Sequence, residues 1–192
     1  MKYVLLLRGI NVGGKHTVSM QEFKAQLASL GYKTIQSYLN SGNFIFQTNQ
    51  EKAVVESDLQ KLIQGSYSFS LPFALLTENE YRASMKQLPE WWQQPLARKN
   101  VLFFIGPIDK QELRAHLKTV ITDREVIFIG EHALFWGIYK TADLGRTAYS
   151  QRLSRMSLYQ QVTIRNYNTY QKLFPLLVVD DESNLKNSGG RT

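Results

Sequence analysis

Cysteine is absent from all 192 residues, which excludes disulfides, zinc fingers, iron–sulfur clusters and thiol nucleophiles. The absence suits a reducing compartment, and the expected location is the cytoplasm. Histidine is scarce: the pattern puts His16 in a loop, His116 in a helix and His132 in a hairpin. No two of them stand at i, i+4 and no carboxylate motif accompanies them, so neither a metal site nor a triad is legible and each reads as a surface residue. Long apolar runs are missing as well. The run at 3–7 is about a third of the length that spans a bilayer, and no basic n-region or cleavage site accompanies it. A soluble, unexported protein with no membrane partner is expected. The G-x-S-x-G and G-x-G-x-x-G patterns do not occur, so hydrolase and dinucleotide chemistry lack a foothold, no catalytic residue stands out and no cofactor is implied.

What is present is a 43% hydrophobic chain, enough for one large domain or two small ones with sizeable cores. Its net charge of +7 is unevenly placed. Residues 1–90 hold 9 Lys and Arg against 7 Asp and Glu, whereas residues 91–192 hold 14 against 9, so the basic character belongs to the second half.

Helix starts are legible as capping boxes at Ser19 with Glu22, Thr48 with Glu51, Thr77 with Glu80 and Asp109 with Glu112. Between them lie β-rich runs at 3–7, 34–39, 44–47, 71–76, 101–105, 126–129, 134–139 and 162–164. Asn40, Gly42 and Asn43 mark one hairpin turn, and Gly130 the other. The order strand, helix, hairpin, helix, strand occurs twice, which predicts an α+β protein of two ferredoxin-like βαββαβ subdomains. Each is an antiparallel four-stranded sheet with helices on one face. The expected boundaries are 1–87 and 99–179 for the subdomains, 88–98 for a linker whose Trp91 and Trp92 pack between them, and 180–192 for a mobile polar tail.

Gly9, Gly14 and Lys15 spell G-x-x-x-x-G-K between a strand and a helix, as in a nucleotide-phosphate loop. His16 stands where such a loop needs a metal-binding hydroxyl, and the box at Ser19 starts the helix too late for its amides to meet a phosphate. An ATPase role is therefore not expected. In a ferredoxin-like unit the end of strand one lies beside the start of strand three. Residues 8–15 and 40–43 should share an edge that gathers Arg8, Asn11, Gly13, Gly14, Lys15, Asn40, Ser41 and Asn43, a donor set suited to an anion. The alternative is that the same residues shape turns and tie the two loops together. Asn168 is expected to cap the last helix with Gln171. Arg165 and Asn166, leaving a short strand before that helix, suit either an anion or, for Arg165, a carboxylate at the core edge.

The stretches "LLRGINVGGK" at 6–15, "YLNSGNFIF" at 38–46 and "TIRNYNTYQKL" at 163–173 resemble the hallmark blocks of a bacterial family, domain of unknown function 1697. The resemblance implies a fold of two ferredoxin-like subdomains and no assigned activity. It places the family signature on Arg8, Gly9, Asn11, Gly13, Gly14, Lys15, Ser41, Gly42, Asn43, Arg165, Asn166, Asn168 and Thr169. Tyr167 departs from it, standing where tryptophan is expected, and residues 143–156 match it loosely.

A second constellation lies between 140 and 172, where six cations face one acid, Asp143. Arg146, Arg152, Arg155 and Tyr159 are its candidates for single-stranded nucleic acid, with Phe44 and Phe46 as an analogue of the stacking pair on an RNA-recognition sheet. The alternatives are a solvated face for the arginines and a helix-facing position for the two phenylalanines. Leu153 and Met156 are expected inward, Arg152 and Arg155 outward. Three readings stay open: a binding module for an anionic ligand, nucleotide-like or single-stranded nucleic acid; an enzyme acting on a small anionic substrate at the 8–15 and 40–43 edge or between the subdomains; and a protein interaction module. The oligomeric state is not legible.

Overall fold

Eight strands form where the β-rich runs predict them, and their order explains how residues far apart in sequence come to touch. The structure, a computed structural model, describes residues 1–14 and 16–178. Lys15, and the tail expected to be mobile, lie outside the described residues. The first half runs β1 (Lys2–Leu7), α1 (Met20–Ser29), β2 (Lys33–Tyr38), β3 (Asn43–Gln47), α2 (Lys52–Ser66), β4 (Phe73–Thr77) and α3 (Glu78–Lys86). After a 3-10 turn at Glu90–Gln93 the second half runs β5 (Arg98–Phe104), α4 (Lys110–Val120), β6 (Glu125–Ile129), β7 (Ala133–Ile138), α5 (Ala148–Gln151), β8 (Val162–Asn166) and α6 (Tyr167–Val178). Two antiparallel four-stranded sheets result, ordered β2-β3-β1-β4 and β6-β7-β5-β8. β1 and β3 are central neighbours, with Leu5 opposite Phe44.

Three of the capping boxes start helices. Ser19 Oγ accepts from Glu22 N, Thr77 and Glu80 form the full reciprocal box, and Asp109 accepts from Gln111 N and Glu112 N. Two assignments are corrected. The cap position of α2 is Glu51, without a side-chain hydrogen bond, and the Thr48 hydroxyl instead accepts from Gln50 N within the preceding turn. The last helix is capped by Asn166, whose Oδ1 accepts from Thr169 N at 2.8 Å, and not by Asn168.

Because side chains alternate across a strand, each sheet buries two faces. Tyr3, Leu5, Leu7, Phe44 and Phe46 pack on Phe23 and Leu27 of α1 and on Val55 and Leu59 of α2. The opposite face, Val4, Leu6, Ile45 and Leu76, joins Tyr81 of α3, Trp92, Val101 and Phe103 of β5, and Tyr170, Leu173 and Leu177 of α6 in one cluster. The far face of the second sheet, Leu102, Leu134 and Trp136, packs on Leu113 and Leu117 of α4 and on Leu153, Met156 and Leu158. The helices expected on one face are therefore joined by α3 and α6 on the other. A central layer of apolar side chains is shared by the two halves, and Trp92 is fully buried in it.

The crossover from β7 to β8 is not one helix but a 3-10 turn, the single-turn α5 and two further 3-10 turns. A buried carboxylate holds it. Glu125 Oε1 accepts from Ala148 N at 2.7 Å and from Thr122, and Oε2 accepts from Trp136 Nε1 at 2.9 Å and Tyr149 N at 3.2 Å. Five donors thus satisfy a carboxylate that is 5% exposed, and they pin the segment whose Leu153 and Met156 close the core.

Candidate functional site

The three polar blocks of the sequence meet at the end of β1. Asn11, at φ 55°, donates from Nδ2 to Val18 O at 3.0 Å and to Asn40 O at 2.9 Å, while its Oδ1 accepts from Val18 N. Leu7 N donates to Gly42 O at 2.8 Å. The loop after β1 and the β2–β3 turn thus share one edge. Gly42 sits at φ 73°, and a Cβ there would approach Leu7 Cβ to 2.7 Å. Asn43 is fully buried and donates to Tyr38 O and Ser41 Oγ.

Into this edge comes Arg165 of β8, 6% exposed. Nε donates to Asn43 Oδ1, Nη1 to Thr163 Oγ1 and Ile164 O at 2.8 Å each, and Nη2 to Leu7 O at 2.8 Å and Ser41 O at 2.9 Å, with Gly42 O at 3.3 Å. All five guanidinium protons therefore have acceptors. Every acceptor is neutral: the core-edge carboxylate that the sequence offered as a partner is not there. Burial pulls the Arg165 pKa down to about 10, which leaves the group charged at neutral pH. Arg8 crosses the other way, from Nε to Val162 O at 3.0 Å and from Nη2 to Tyr159 O at 3.1 Å, and lies over the Tyr159 ring at 5.2 Å. Chemically this is a clasp between the halves, in which a cation replaces the hydrogen bonds that strand ends lack. Asn166 is occupied as a helix cap, and Asn168, Gly13 and Gly14 are exposed. For the phosphate-loop question the geometry agrees with the sequence: α1 begins at Met20, beyond the reach of Gly14.

Arg146, Arg152 and Arg155 are exposed, and their side chains make no hydrogen bond or ion pair among the described residues. Leu153 and Met156 point inward as expected. Phe44 and Phe46 are fully buried beneath α1 and α2 and Ile45 faces the shared core, so the stacking platform of an RNA-recognition sheet is not available on either face.

A cleft of about 1140 Å³ opens between the two sheets. One wall is the unpaired edge strand β4 with α2 and the 67–72 loop, and the other is the end of β5, the start of α4 and the β6–β7 hairpin. Phe69, Phe73, Leu75, Phe104, Ile105 and Ile108 make it apolar, and Lys52, Glu56, Lys110, Glu131 and His132 make one part polar. Lys52 Nζ meets both oxygens of Glu80 at 2.8 and 2.9 Å, and Lys110 Nζ meets Glu131 Oε2 at 2.5 Å. His132 Nε2 stands 3.9 Å from Glu80 Oε1. Burial would raise the Glu80 carboxyl, but hydrogen bonds from Lys52 and Thr77 N outweigh it and hold the group below its ordinary value. Burial pushes His132 down, against the pull of Glu80. His132 is thus half-buried, not a plain surface residue. Sequence reasoning missed this cluster because its members come from α2, α3, α4 and a hairpin. The single local hint was Glu80, legible as the third residue of a capping box. Among the described residues no group of His, Asp and Glu has a metal-holding arrangement, and no helix is long and apolar enough to cross a membrane.

Comparison with known proteins adds a family and no activity. The family described as "Protein of unknown function (DUF1697)" matches residues 1–135, which include the first two blocks and not the third. The solved structure of the conserved bacterial protein SP0830 from Streptococcus pneumoniae is 36% identical, with 92% of this chain and 98% of that one covered at a TM-score of 0.87. No curated protein matches.

Proposed function

The chain belongs to the DUF1697 family of proteins of unknown function, and on that premise we propose that it binds a small anionic ligand with a flat apolar body in the cleft between its sheets. The observation that carries this reading is the cleft itself: apolar and aromatic side chains interleaved with Gln60, Gln64, Ser68 and Ser70, and charged groups gathered at one part, which together give a ligand a surface to pack on and polar groups to fix its orientation. Its volume of about 1140 Å³ is a little above the roughly 300–1,000 Å³ of ordinary ligand pockets, room for a molecule of nucleotide size.

The motif edge is the weaker candidate. Its most suitable anion binder, Arg165, has spent every proton on protein acceptors, and opening it would strand those acceptors. Single-stranded nucleic acid keeps one support, the unpaired Arg146, Arg152 and Arg155, but loses Phe44 and Phe46, which are buried, as a stacking pair. No group in the cleft is placed as a nucleophile with its own base, so binding and not turnover is the reading.

The test is a thermal-shift and calorimetry screen of nucleotides, aromatic carboxylates and sugar phosphates, repeated on Ser70→Trp. Ser70 lines the cleft, is exposed and makes no side-chain hydrogen bond, so an indole there takes up part of the site and spares the core. A ligand that binds the native protein and is lost in Ser70→Trp supports the proposal. Binding unaffected by Ser70→Trp places the ligand elsewhere and ends it.

A further inference from the structure

We propose that Lys52, Lys110 and His132 form a proton-linked anion subsite within the cleft, where a phosphate or carboxylate group of the ligand is held and His132 takes up a proton as the anion enters. The inference rests on the cleft being the ligand site and adds which groups hold the charge.

Three elements bring these groups to one place: α2 carries Lys52, α4 carries Lys110 and the β6–β7 hairpin carries His132, and all three line the cleft. The charged and titratable groups facing His132 are Glu80 of α3, Lys52 of α2, Lys110 of α4 and Glu131 of its own hairpin, with Glu56 of α2 further along the wall. Each lysine is matched by one glutamate, Lys52 with Glu80 and Lys110 with Glu131, so the two pairs cancel. Glu56 leaves the wall one negative charge while the imidazole is neutral, and protonation of His132 offsets it, so the imidazole is the group whose change of charge sets the balance of the site near neutral pH. Burial favours its neutral form. Glu80, 3.9 Å from Nε2, stands ready to stabilise the charged form.

Glu80 is also the shared point of control. Its two oxygens hold Lys52 and, through the capping box, Thr77 N. A protonated His132 competes with Lys52 for that carboxylate, and what it draws from the pair is returned to the cleft as unneutralised ammonium. Lys52 engages Glu80 with at most two of its three donors, and Lys110 meets a glutamate that is 71% exposed. Both ammonium groups therefore keep protons for an incoming oxygen anion. The balance is simple: one proton moves from solvent to His132 when one anionic oxygen enters, and no bond is made or broken. Linkage then requires that a lower pH tightens anion binding and that the anion raises the His132 pKa by the same free energy.

The experiment is an NMR titration of the imidazole protons of the full-length protein between pH 5 and 8. It is run in sulfate, which stays doubly charged over that range, and in sodium chloride of equal ionic strength. A second arm uses benzoate as the carboxylate with an apolar body. His116 on α4 is the internal control, since His16 stacks on Phe69 of the cleft wall. The expected result is that saturating sulfate raises the His132 pKa by about one unit, the equivalent of about tenfold tighter binding to the protonated form. The response exceeds that of His116 and disappears in Lys52→Met with Lys110→Met. The proposal is overturned if His132 moves no more than His116, or if its response survives in the double variant. The two readings separate cleanly. Sulfate has no apolar body, so a silent His132 beside a benzoate signal abolished by Ser70→Trp removes the subsite alone. A responding His132 with no organic ligand bound removes the cleft reading.

Discussion

Replacing Arg165 with Met removes five donors from a buried edge while keeping most of the side-chain volume. Three acceptors lose this donor, Asn43 Oδ1 in the buried edge and Ser41 O and Ile164 O at part-buried positions, whereas Leu7 O keeps the Thr163 hydroxyl at 3.1 Å and Gly42 O keeps Leu7 N at 2.8 Å. A stranded buried polar group costs about 1–3 kcal/mol, and with the two wetter carbonyls at the low end the three cost about 3–5 kcal/mol. The variant no longer carries the desolvation of a guanidinium without a counter-charge, which returns part of that. A net loss of about 3 kcal/mol is expected, a large share of the roughly 5–15 kcal/mol that holds a domain folded. For a chain of this size the melting temperature should fall by about 6–12 °C. Urea unfolding followed by tryptophan fluorescence reads the loss directly, since Trp92 lies in the core that the clasp closes over. Arg165→Lys keeps the charge but not the fork and should lose at least half as much. In a cycle with Asn43→Ala the two losses should fall short of additivity by more than about 1 kcal/mol. If Arg165→Met is within about 0.5 kcal/mol of the native protein, as for an ordinary surface change, the clasp is not what joins the halves.

Gly42→Ala should destabilise by more than about 2 kcal/mol, because a left-handed conformation costs about 1–2 kcal/mol and the new Cβ meets Leu7 Cβ at 2.7 Å and Ile10 Cδ1 at 2.8 Å. Gly13→Ala, with nothing within 4 Å, carries only the conformational cost, and equal losses in thermal melts would refute the packing argument. Glu125→Gln turns an acceptor into a donor against Trp136 Nε1 or Ala148 N and should cost about 2 kcal/mol. Hydrogen exchange at Ala148 and Tyr149 should accelerate, and unchanged protection would refute the pinning of the β7–β8 crossover. Purified protein should show no magnesium-dependent ATP hydrolysis that Lys15→Ala abolishes; Lys15-dependent turnover would reinstate the phosphate loop.

The architecture was legible because its signals are local. The short continuous apolar runs "YVLLL" and "NFIF", the hairpin at Asn40 to Asn43 and the caps at Ser19, Thr77 and Asp109 each report on neighbours within a few residues. The topology of a ferredoxin-like unit then placed residues 8–15 beside 40–43. Where the reading failed, a competing local partner existed. Asn166 and Asn168 both offer a carbonyl to the same helix start, and the nearer strand end decided it. Thr48 prefers the turn at Gln50. The long helix expected before β8 is replaced by short turns, and Glu125, from another strand, fixes where α5 starts by accepting from its first two amides, Ala148 N and Tyr149 N. Arg165 and His132 illustrate the deeper limit. No pattern around Arg165 announces that its acceptors will be backbone carbonyls of β1 and the β2–β3 turn. His132 becomes notable only when Lys52, Glu80 and Lys110 arrive from three separate helices.

Chemical-shift mapping of the backbone amides with an aromatic carboxylate and nucleotide library tests the central claim most directly. Binding in the cleft predicts perturbations concentrated on Phe69, Phe73, Phe104, Ile105, Lys110 and His132, fading across α5 and the β2–β3 turn. Perturbations confined to Asn11, Asn40 and Ser41, or to Arg146, Arg152 and Arg155, with the cleft residues unmoved, would contradict it.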